Sequence, residues 1–188
     1  MAKKSGLPKN AKRVFKGVIF DVYQWPQTMF DGSTEIFEKL KRPDTVQVIA
    51  ITKDKKILIL EEQQPTKKPF LGIPGGRHEQ KETPLNAAKR ELREETGYTA
   101  NHWRLWYAEQ PYSKIIWTIS IFIADGINQT TSPMLDAGEK IKVKKLSFNE
   151  FILLGLNPDF HEPSLKAKLL EALYNPRAKA KLKKLLFR

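Results

Sequence analysis

The sequence of 188 residues contains no cysteine, so disulfide bonds and thiolate metal sites are excluded. This absence fits a cytoplasmic location, which we expect for the protein. Long apolar runs are also absent: the longest, residues 115–124, is too short to span a bilayer and contains Thr118 and Ser120. Residues 1–10 are polar and lysine-rich, without the apolar segment of a secretory signal. These properties are typical of one soluble globular domain.

Acidic residues are missing from both ends of the chain. Residues 1–16 and 177–188 each carry six basic side chains and no acidic one, whereas residues 17–176 carry 21 of each sign. Basic ends attract nucleic acid or anionic membranes, but we favour a solubilising extension and a last helix docked on its own domain. The predicted parts are a basic N-terminal extension at 1–13, a folded domain at 14–176 and a basic C-terminal helix or tail at 177–188.

Alternating apolar residues predict strands on both sides of a central helix. A hairpin is predicted where 45–51 and 56–61 flank a short turn. A later helix opens at Ser147, which forms a capping-box pattern with Glu150, and the final helix opens at Pro163. This order indicates an α/β fold with a mixed sheet between helical layers. The other predicted strands are 18–23, 34–40, 103–109, 114–124 and 141–148.

The central helix is delimited by its own sequence. Thr83 supplies a hydroxyl cap, and Pro84 follows at the first helical position, where a missing N–H costs nothing. Gly97 is the corresponding stop, because glycine enters the left-handed conformation without strain. Ala88 and Leu92 share one face, so we expect this stripe to pack on a core.

A neighbouring face of the same helix carries three glutamates, Glu91, Glu94 and Glu95. Like charges at this spacing repel each other, and pairing of Arg90 with Glu94 relieves only part of the repulsion. A hard divalent cation would relieve the rest, since Mg²⁺ typically takes a few carboxylates together with substrate phosphate oxygens. The alternative is a solvated acidic helix face.

The wider spacing decides between these two interpretations. The sequence resembles the Nudix box at Gly76, at Glu82 and along RELREETG at 90–97, and it departs from the box at Tyr98, where the family prefers an aliphatic residue. The resemblance implies the Nudix α/β/α sandwich with a mixed central sheet. It also implies hydrolysis, dependent on Mg²⁺ or Mn²⁺, of the pyrophosphate bond in a nucleoside diphosphate linked to another moiety.

The resemblance assigns roles to the clustered residues. Glu91 and Glu95 match the family's usual metal ligands, and Glu94 is a further ligand or positions the attacking water. Arg90 is grouped with the catalytic residues as the side chain that orients these carboxylates. The backbone carbonyl of Gly75 is expected to contact metal, as in the ADP-ribose pyrophosphatase branch of the family.

Further acidic residues are expected at the site. Glu82 would support the loop or an outer metal, and Glu79 belongs to a PGGRHE segment similar to that of the same branch. Glu139, at the end of the DAGE segment at 136–139, matches the acidic loop from which related pyrophosphatases supply a general base. The alternative for this segment is an acidic turn without a catalytic role.

Substrate recognition is expected to follow the ADP-ribose and nucleotide-sugar pyrophosphatases, which residues 14–150 resemble along KGVIFDVY, DTVQVIAI and LEEQQP. Those enzymes often have an arginine two residues after the glutamine that corresponds to Gln63, but this chain has Pro65 there. Arg77 or a nearby lysine would replace that arginine. Glu38 lies where the branch places an acid near the nucleoside. Trp25 is expected either to stack on a base or to belong to the core.

The same branch usually dimerises through its N-terminal strands, so we expect a homodimer. The expected substrate is ADP-ribose, cleaved to AMP and ribose 5-phosphate, or a nucleotide sugar. Two alternatives remain: cleavage of damaged nucleoside triphosphates, and a non-catalytic module that holds a nucleotide or RNA. The intact acidic positions argue against such a module, because an inactive site has no physical reason to tolerate that much repulsion.

Overall fold

A computed structural model of the chain describes residues 6–187. Lys3 and Lys4 of the predicted N-terminal extension, and Arg188 of the predicted C-terminal segment, lie outside these residues. The helices are α1 (Pro84–Thr96), α2 (Phe148–Leu153), α3 (Pro163–Tyr174) and α4 (Pro176–Leu186), with a 3-10 turn at Leu154–Leu156 after α2. The strands are β1 (Lys12–Lys16), β2 (Asp21–Thr28), β3 (Thr34–Lys41), β4 (Thr45–Thr52), β5 (Ile57–Gln63), β6 (Phe70–Gly72), β7 (Gly75–Arg77), β8 (Tyr98–Thr99), β9 (His102–Glu109), β10 (Ile115–Ile116), β11 (Ile119–Gln129) and β12 (Lys140–Leu146).

The first sheet contains β1, β2, β3 and β10 in that order. β2 and β3 form an antiparallel hairpin, and β10 runs parallel to β3. A turn at Asp31-Gly32 joins the hairpin: Asp31 Oδ1 accepts the Ser33 N–H at 3.0 Å, and Gly32 has a φ of 88°. Glycine is suited to this turn because its backbone enters the left-handed region without steric cost.

The second sheet is built around β4. β5 pairs antiparallel with β4, and β12 pairs antiparallel with β5, which includes the predicted hairpin. β11 runs parallel to β4 on its other side, and β9 runs antiparallel to β11. Three short strands pair with the longer ones: β6 with β5, β7 with β4 and β8 with β11. The sheet is therefore mixed, as predicted.

Helices cover both faces of this sheet. Val46 and Val48 of β4 point to one face, where they join a buried cluster with Leu92 of α1. Ile49 and Ile51 point to the other face, where the cluster includes residues of α2, α3 and α4. Alternate side chains of β4 therefore pack into two cores, one on each face of the sheet. The predicted α/β/α sandwich is confirmed.

The predicted helix signals are present in the structure. Thr83 Oγ1 accepts the N–H of the third residue of α1 at 3.2 Å, and Pro84 lies in the first turn. Gly97 ends α1 with a φ of 72°. Ser147 and Glu150 form a complete capping box at the start of α2. These local patterns define both ends of α1 and the start of α2.

Two predicted strands are wrong in part. Residues 18–20 form a turn between β1 and β2, because the Gly17 N–H donates to the carbonyl three residues later at 3.0 Å. The predicted strand at 114–124 is divided, since β10 joins the first sheet and β11 the second. At the break, the Thr118 N–H donates to Asp44 Oδ1 at 2.7 Å.

The helix that begins at Pro163 is not the last one, because α4 follows it. Asn175 caps α4 by accepting the backbone N–H groups of its first turn. Leu182 and Leu186 are buried in the core, so this basic segment is a helix docked on its own domain. The boundaries of the predicted basic ends stay predictions. Within residues 6–187, no helix is long and apolar enough to cross a membrane.

Candidate active site

A cleft of about 300 Å³ lies between β7, α1 and the loop that precedes β12. We call it the acidic cleft. β7 pairs with the first residues of β4, Gly75 opposite Gln47 and Gly76 opposite Val46. Its lining residues are Gly75, Gly76, Arg77, Glu79, Arg90, Glu91, Glu94, Glu95, Met134, Leu135, Asp136 and Glu139. The fold therefore unites the helix glutamates with an acidic loop far along the chain.

The glycine pair in β7 permits close packing against α1 and β4. A Cβ atom on Gly76 would lie 2.5 Å from a carboxylate oxygen of Glu91. A Cβ atom on Gly75 would lie 2.3 Å from the carbonyl oxygen of Val46. Any larger residue would force the Glu91 carboxylate or the strand to move, so glycine is required here for space.

Glu95 is the most enclosed of the three helix glutamates. Glu95 is only 9% exposed, and its Oε2 accepts the Gly75 N–H at 2.8 Å. Burial raises the pKa of Glu95 well above its ordinary value, while the bond from Gly75 acts in the opposite direction. The nearby Glu91 carboxylate raises the pKa of Glu95 further.

Arg90 holds the acidic side chains in place. Its Nη1 donates to Glu91 Oε1 at 2.8 Å and to Glu94 Oε2 at 3.0 Å. Its Nη2 donates to Glu82 Oε1 at 2.9 Å and to the Arg77 carbonyl at 2.8 Å. The Glu82 bond is the main reason that the pKa of Arg90 is raised, so this guanidinium stays charged. Its arrangement suits an orienting role.

Glu82 supports the loop between β7 and α1. Besides binding Arg90, its Oε1 accepts the Glu79 N–H at 2.9 Å, and its carbonyl accepts from His78 Nε2 at 2.6 Å. Hydrogen bonding from Arg90 lowers the pKa of Glu82. Glu82 does not line the acidic cleft, and its carboxylate is already shared between two donors in the loop and the helix.

Glu139 enters the acidic cleft from the loop before β12. Burial raises the pKa of Glu139, and the Asp136 carboxylate adds to this effect. Glu139 also lines a second cleft of about 270 Å³, which we call the basic cleft because it contains Lys67 and Lys140. Gln63 lines the basic cleft as well. Glu139 therefore lies at the border between the acidic cleft and the basic cleft.

The acidic cleft offers oxygen donors, which are the ligands that Mg²⁺ and Mn²⁺ prefer. Glu91, Glu94, Glu95 and Glu139 all line it, and the space beside Gly76 accommodates the Glu91 carboxylate. In the part of the chain that the structure describes, no three acidic or histidine side chains converge closely enough to enclose a metal ion. The kind of donor present fits a hard divalent cation.

Comparison with protein-family models matches the NUDIX domain to residues 41–168, which include β4, the acidic cleft and the first half of α3. The chain belongs to the Nudix family. The resemblance inferred from the spacing of Gly76, Glu82 and the helix glutamates is therefore confirmed, and the protein is a Nudix hydrolase. Hydrolases of this family generally use divalent metals, and the donors in the acidic cleft agree with that property.

Relatives of this Nudix domain include two characterised bacterial proteins. A methanol dehydrogenase activator from Bacillus methanolicus is 31% identical over 144 residues, 74% of this chain and 77% of that protein. An ADP-ribose pyrophosphatase from Bacillus subtilis (strain 168) is 28% identical over 148 residues, 76% of this chain and 79% of that protein. The crystal structure of an ADP compounds hydrolase superposes with a TM-score of 0.75 at 22% identity, over 96% of this chain and 95% of that one.

Two neighbouring carboxylates, Glu62 and Glu162, were not identified from the sequence. Burial raises the pKa of Glu62 to about 7 and that of Glu162 to about 8. Gln47 Nε2 donates to Glu162, whose other oxygen accepts the Ile73 N–H at 3.4 Å. Glu62 lies near the end of the apolar strand β5, a position that gives only weak sequence evidence for a carboxylate with a raised pKa. Glu162 precedes a helix proline and gave no such signal.

The first sheet keeps two predicted substrate-binding residues away from both clefts of its own chain. Trp25 is only 7% exposed, its Nε1 donates to Gln27 Oε1 at 3.2 Å, and its ring packs on Phe37. A buried ring has no free face for a base, so the core alternative describes Trp25 better. Glu38 is exposed, and one of its carboxylate oxygens accepts a hydrogen bond from Gln24 Nε2 at 3.0 Å.

Proposed function

We propose that this Nudix hydrolase acts in the cytoplasm and cleaves ADP-ribose to AMP and ribose 5-phosphate, or cleaves a nucleotide sugar, with Mg²⁺ or Mn²⁺ as cofactor. The observation that carries the proposal is that Glu91, Glu94, Glu95 and Glu139 line one cleft beside the Gly75-Gly76 pair. Similarity to the ADP-ribose pyrophosphatase of Bacillus subtilis supports this substrate class.

The residues that would hold the cation are Glu91, Glu94 and Glu95, together with the backbone carbonyl of Gly75. When bound, the cation neutralises the diphosphate oxygens and makes the attacking water more acidic. Arg90 contacts both Glu91 and Glu94, so it orients them from outside the metal site. Glu82 fixes Arg90 in turn, which favours its loop-supporting role over an outer metal.

Glu139 is the proposed general base. It lines the acidic cleft from a loop rather than from α1, so it is not bound by Arg90. Burial raises the pKa of Glu139, which moves this carboxylate toward the range where a base accepts a proton efficiently near neutral pH. The proton taken from the attacking water would reside on its carboxylate until the product leaves.

The diphosphate would lie toward Arg77 and the basic cleft. Arg77 lines the acidic cleft and forms no ion pair among residues 6–187. Burial and the charge of Arg77 lower the pKa of Arg42, so two cations lie near each other at this edge. Together with Lys67, these groups offer a substitute for the arginine that is missing after Gln63. Gln63 and Glu79 would contact the remainder of the substrate.

We further propose that the protein forms a homodimer through its first sheet. Val14 and Phe15 of β1 and Ile36 of β3 are 53%, 59% and 65% exposed, so this sheet carries an uncovered apolar surface. Glu38 on the same sheet would then reach the partner subunit's substrate. Light scattering after gel filtration should give twice the chain mass, and the Phe15→Asp, Ile36→Asp double variant should give the monomer mass.

The decisive experiment is a substrate panel with identified products. Purified protein is incubated with Mg²⁺ and ADP-ribose, a nucleotide sugar or a nucleoside triphosphate, and the products are separated by ion-exchange chromatography. ADP-ribose should give AMP and ribose 5-phosphate. Glu94→Gln and Glu139→Gln should lose turnover, whereas Glu61→Gln should keep it, because Glu61 pairs with Lys144 and lines neither cleft.

Two results would contradict the proposal. Release of pyrophosphate from nucleoside triphosphates, without cleavage of the diphosphate-linked compounds, would assign the triphosphate alternative. Failure to cleave any compound with either Mg²⁺ or Mn²⁺ would remove the catalytic assignment.

A further inference from the structure

A groove of about 420 Å³ lies between β9, α3 and α4, larger than the acidic cleft. Trp106 of β9 lines one side, Lys168 and Glu171 of α3 line the second, and Lys181 and Lys184 of α4 line the third. None of these residues lines the acidic cleft or the basic cleft. We call this feature the α4 groove, and it is separate from the proposed catalytic machinery.

The α4 groove is positively charged. It contains three lysines and one glutamate, and none of the three lysines forms an ion pair among the described residues. Lys168 Nζ lies 4.5 Å from the centre of the Tyr107 ring and 5.7 Å from that of Trp106, which keeps this charge in the groove. Unpaired cations that line one concave surface attract anions.

The groove is also rigidly built. Leu182 and Leu186 anchor α4 in the core, so they are unavailable for insertion into a bilayer. Arg104 Nη2 donates to the carbonyls of Leu185 and Leu186 at 2.7 and 3.0 Å, which fixes the end of the helix. An amphipathic helix binds membranes through its apolar face, and here that face is used for folding. A membrane is therefore a poor partner for this surface.

We propose that the α4 groove binds single-stranded nucleic acid. Phosphates would lie against Lys168, Lys181 and Lys184, and a base would lie against the indole of Trp106. A cationic groove with an aromatic side chain is the arrangement by which proteins bind single strands without sequence preference. Charge complementarity alone would also suit an acidic peptide, but such a peptide has no base to place against the indole.

The test uses the full-length protein in EDTA, so that hydrolysis does not contribute. Fluorescence anisotropy with a labelled oligo-dT or oligo-U strand should give saturable binding at low salt. If three phosphates are neutralised, the logarithm of the affinity should fall with that of the salt concentration with a slope of roughly −2. The affinity of the Lys181→Glu, Lys184→Glu double variant should be lower by about tenfold or more, because two favourable charges become repulsive.

Matched controls separate the groove from general charge. Lys53→Glu, Lys142→Glu makes the same change at two exposed lysines outside the groove and should weaken binding less than about threefold. Trp106→Leu should weaken binding about fivefold or more and leave the salt slope unchanged, because it removes stacking and no charge. Thermal unfolding of each variant verifies its fold, and Trp106→Phe should keep most of the affinity.

Three outcomes would overturn the proposal. The first is absence of binding to either strand at low salt. The second is equal weakening by the two lysine double variants, which would mean diffuse attraction by net charge. The third is displacement of the strand by polyglutamate of equal charge together with no effect of Trp106→Leu, which would assign an acidic protein partner instead. None of these outcomes bears on ADP-ribose cleavage, so this inference and the proposed function fail independently.

Discussion

The Gly75 N–H donates a 2.8 Å hydrogen bond to Oε2 of Glu95. One residue belongs to β7 and the other to α1, so this bond joins the glycine pair to the acidic helix. From the opposite direction, Glu162 accepts the N–H of Ile73 two residues earlier. The segment that enters the acidic cleft is therefore held between a buried carboxylate and a partly buried one, and displacing it would displace the proposed metal ligands as well.

Replacing Gly76 with alanine should reduce activity far more than stability. The new Cβ would lie 2.5 Å from the Glu91 carboxylate, which would have to leave its position beside Arg90. We expect kcat for ADP-ribose to fall about tenfold to a hundredfold, as for other displaced ligands and their supports. Steady-state kinetics tests this, with Gly6→Ala as the control, because a Cβ on Gly6 meets no atom within 4 Å and Gly6 lines neither cleft. Equal losses in both variants would contradict the proposed role of Gly76.

Arg90→Lys should disorganise the cleft although it keeps the charge. An ammonium group cannot reproduce the planar fork that binds Glu82, Glu91 and Glu94 together. We expect activity to fall about a hundredfold and unfolding free energy to fall by about 2 kcal/mol. Urea unfolding and kinetics measure the two effects. Arg93→Lys is the control and should change little, because among residues 6–187 the Arg93 side chain pairs only with Glu94, at 4.0 Å.

The pH dependence of kcat/KM should report Glu139. A general base works only when deprotonated, so activity should rise as pH increases through the raised pKa of this carboxylate. Glu139→Gln should lose about a hundredfold to ten-thousandfold in rate together with that acidic limb. Asp136→Asn provides a sharper test, because the Asp136 carboxylate raises the pKa of Glu139. Its acidic limb should move to lower pH, and an unchanged profile would exclude Glu139 as the base.

Glu162 should make the protein less stable as pH rises. Burial raises its pKa from 4.5 to about 8. Between these values the folded state binds a proton that the unfolded chain has lost, so the free energy of unfolding falls with increasing pH and levels off above the folded pKa. Glu162→Gln should remove about 3.5 kcal/mol of this loss between about pH 5 and pH 8.

Urea unfolding in EDTA across this pH range tests the assignment of Glu162. Glu171→Gln, an exposed change on α3, the helix that Glu162 precedes, should keep the wild-type dependence. Glu62, whose pKa burial raises to about 7, should leave part of the slope in every protein. A Glu162→Gln profile parallel to that of the wild type would show that Glu162 is ionised throughout.

Much of α1 is predictable from the sequence, because the residues that define its ends and its faces are close to each other in the chain. A hydroxyl before a proline at Thr83-Pro84 and a left-handed glycine at Gly97 define α1 without help from the rest of the chain. Helical spacing then places Glu91, Glu94 and Glu95 side by side. The loop at 136–139 was suspected only through the family resemblance, since no local pattern indicates that Glu139 reaches α1.

The errors arose where pairing partners decide structure. An apolar run at 114–124 satisfies the strand pattern throughout, yet two different sheets take its two halves. The sequence left Trp25 open between base stacking and the core, and the hairpin places Phe37 against its ring, which is buried. Periodicity reports which residues share a face of a strand, and it does not report what covers that face.

The ends of α1 and the spacing of its glutamates can be read from the chain alone, because caps and helical period act over a few residues. The need for glycine in β7 depends on the fold, since the atoms that a Cβ would meet belong to Val46 and Glu91. The fold also brings Glu139 and Glu62 close to Glu95 of that helix, and Glu162 close to Glu62. Contacts between distant segments depend on the order of strands in the sheet. That order is set by the burial of both faces at once, which no single stretch of sequence encodes.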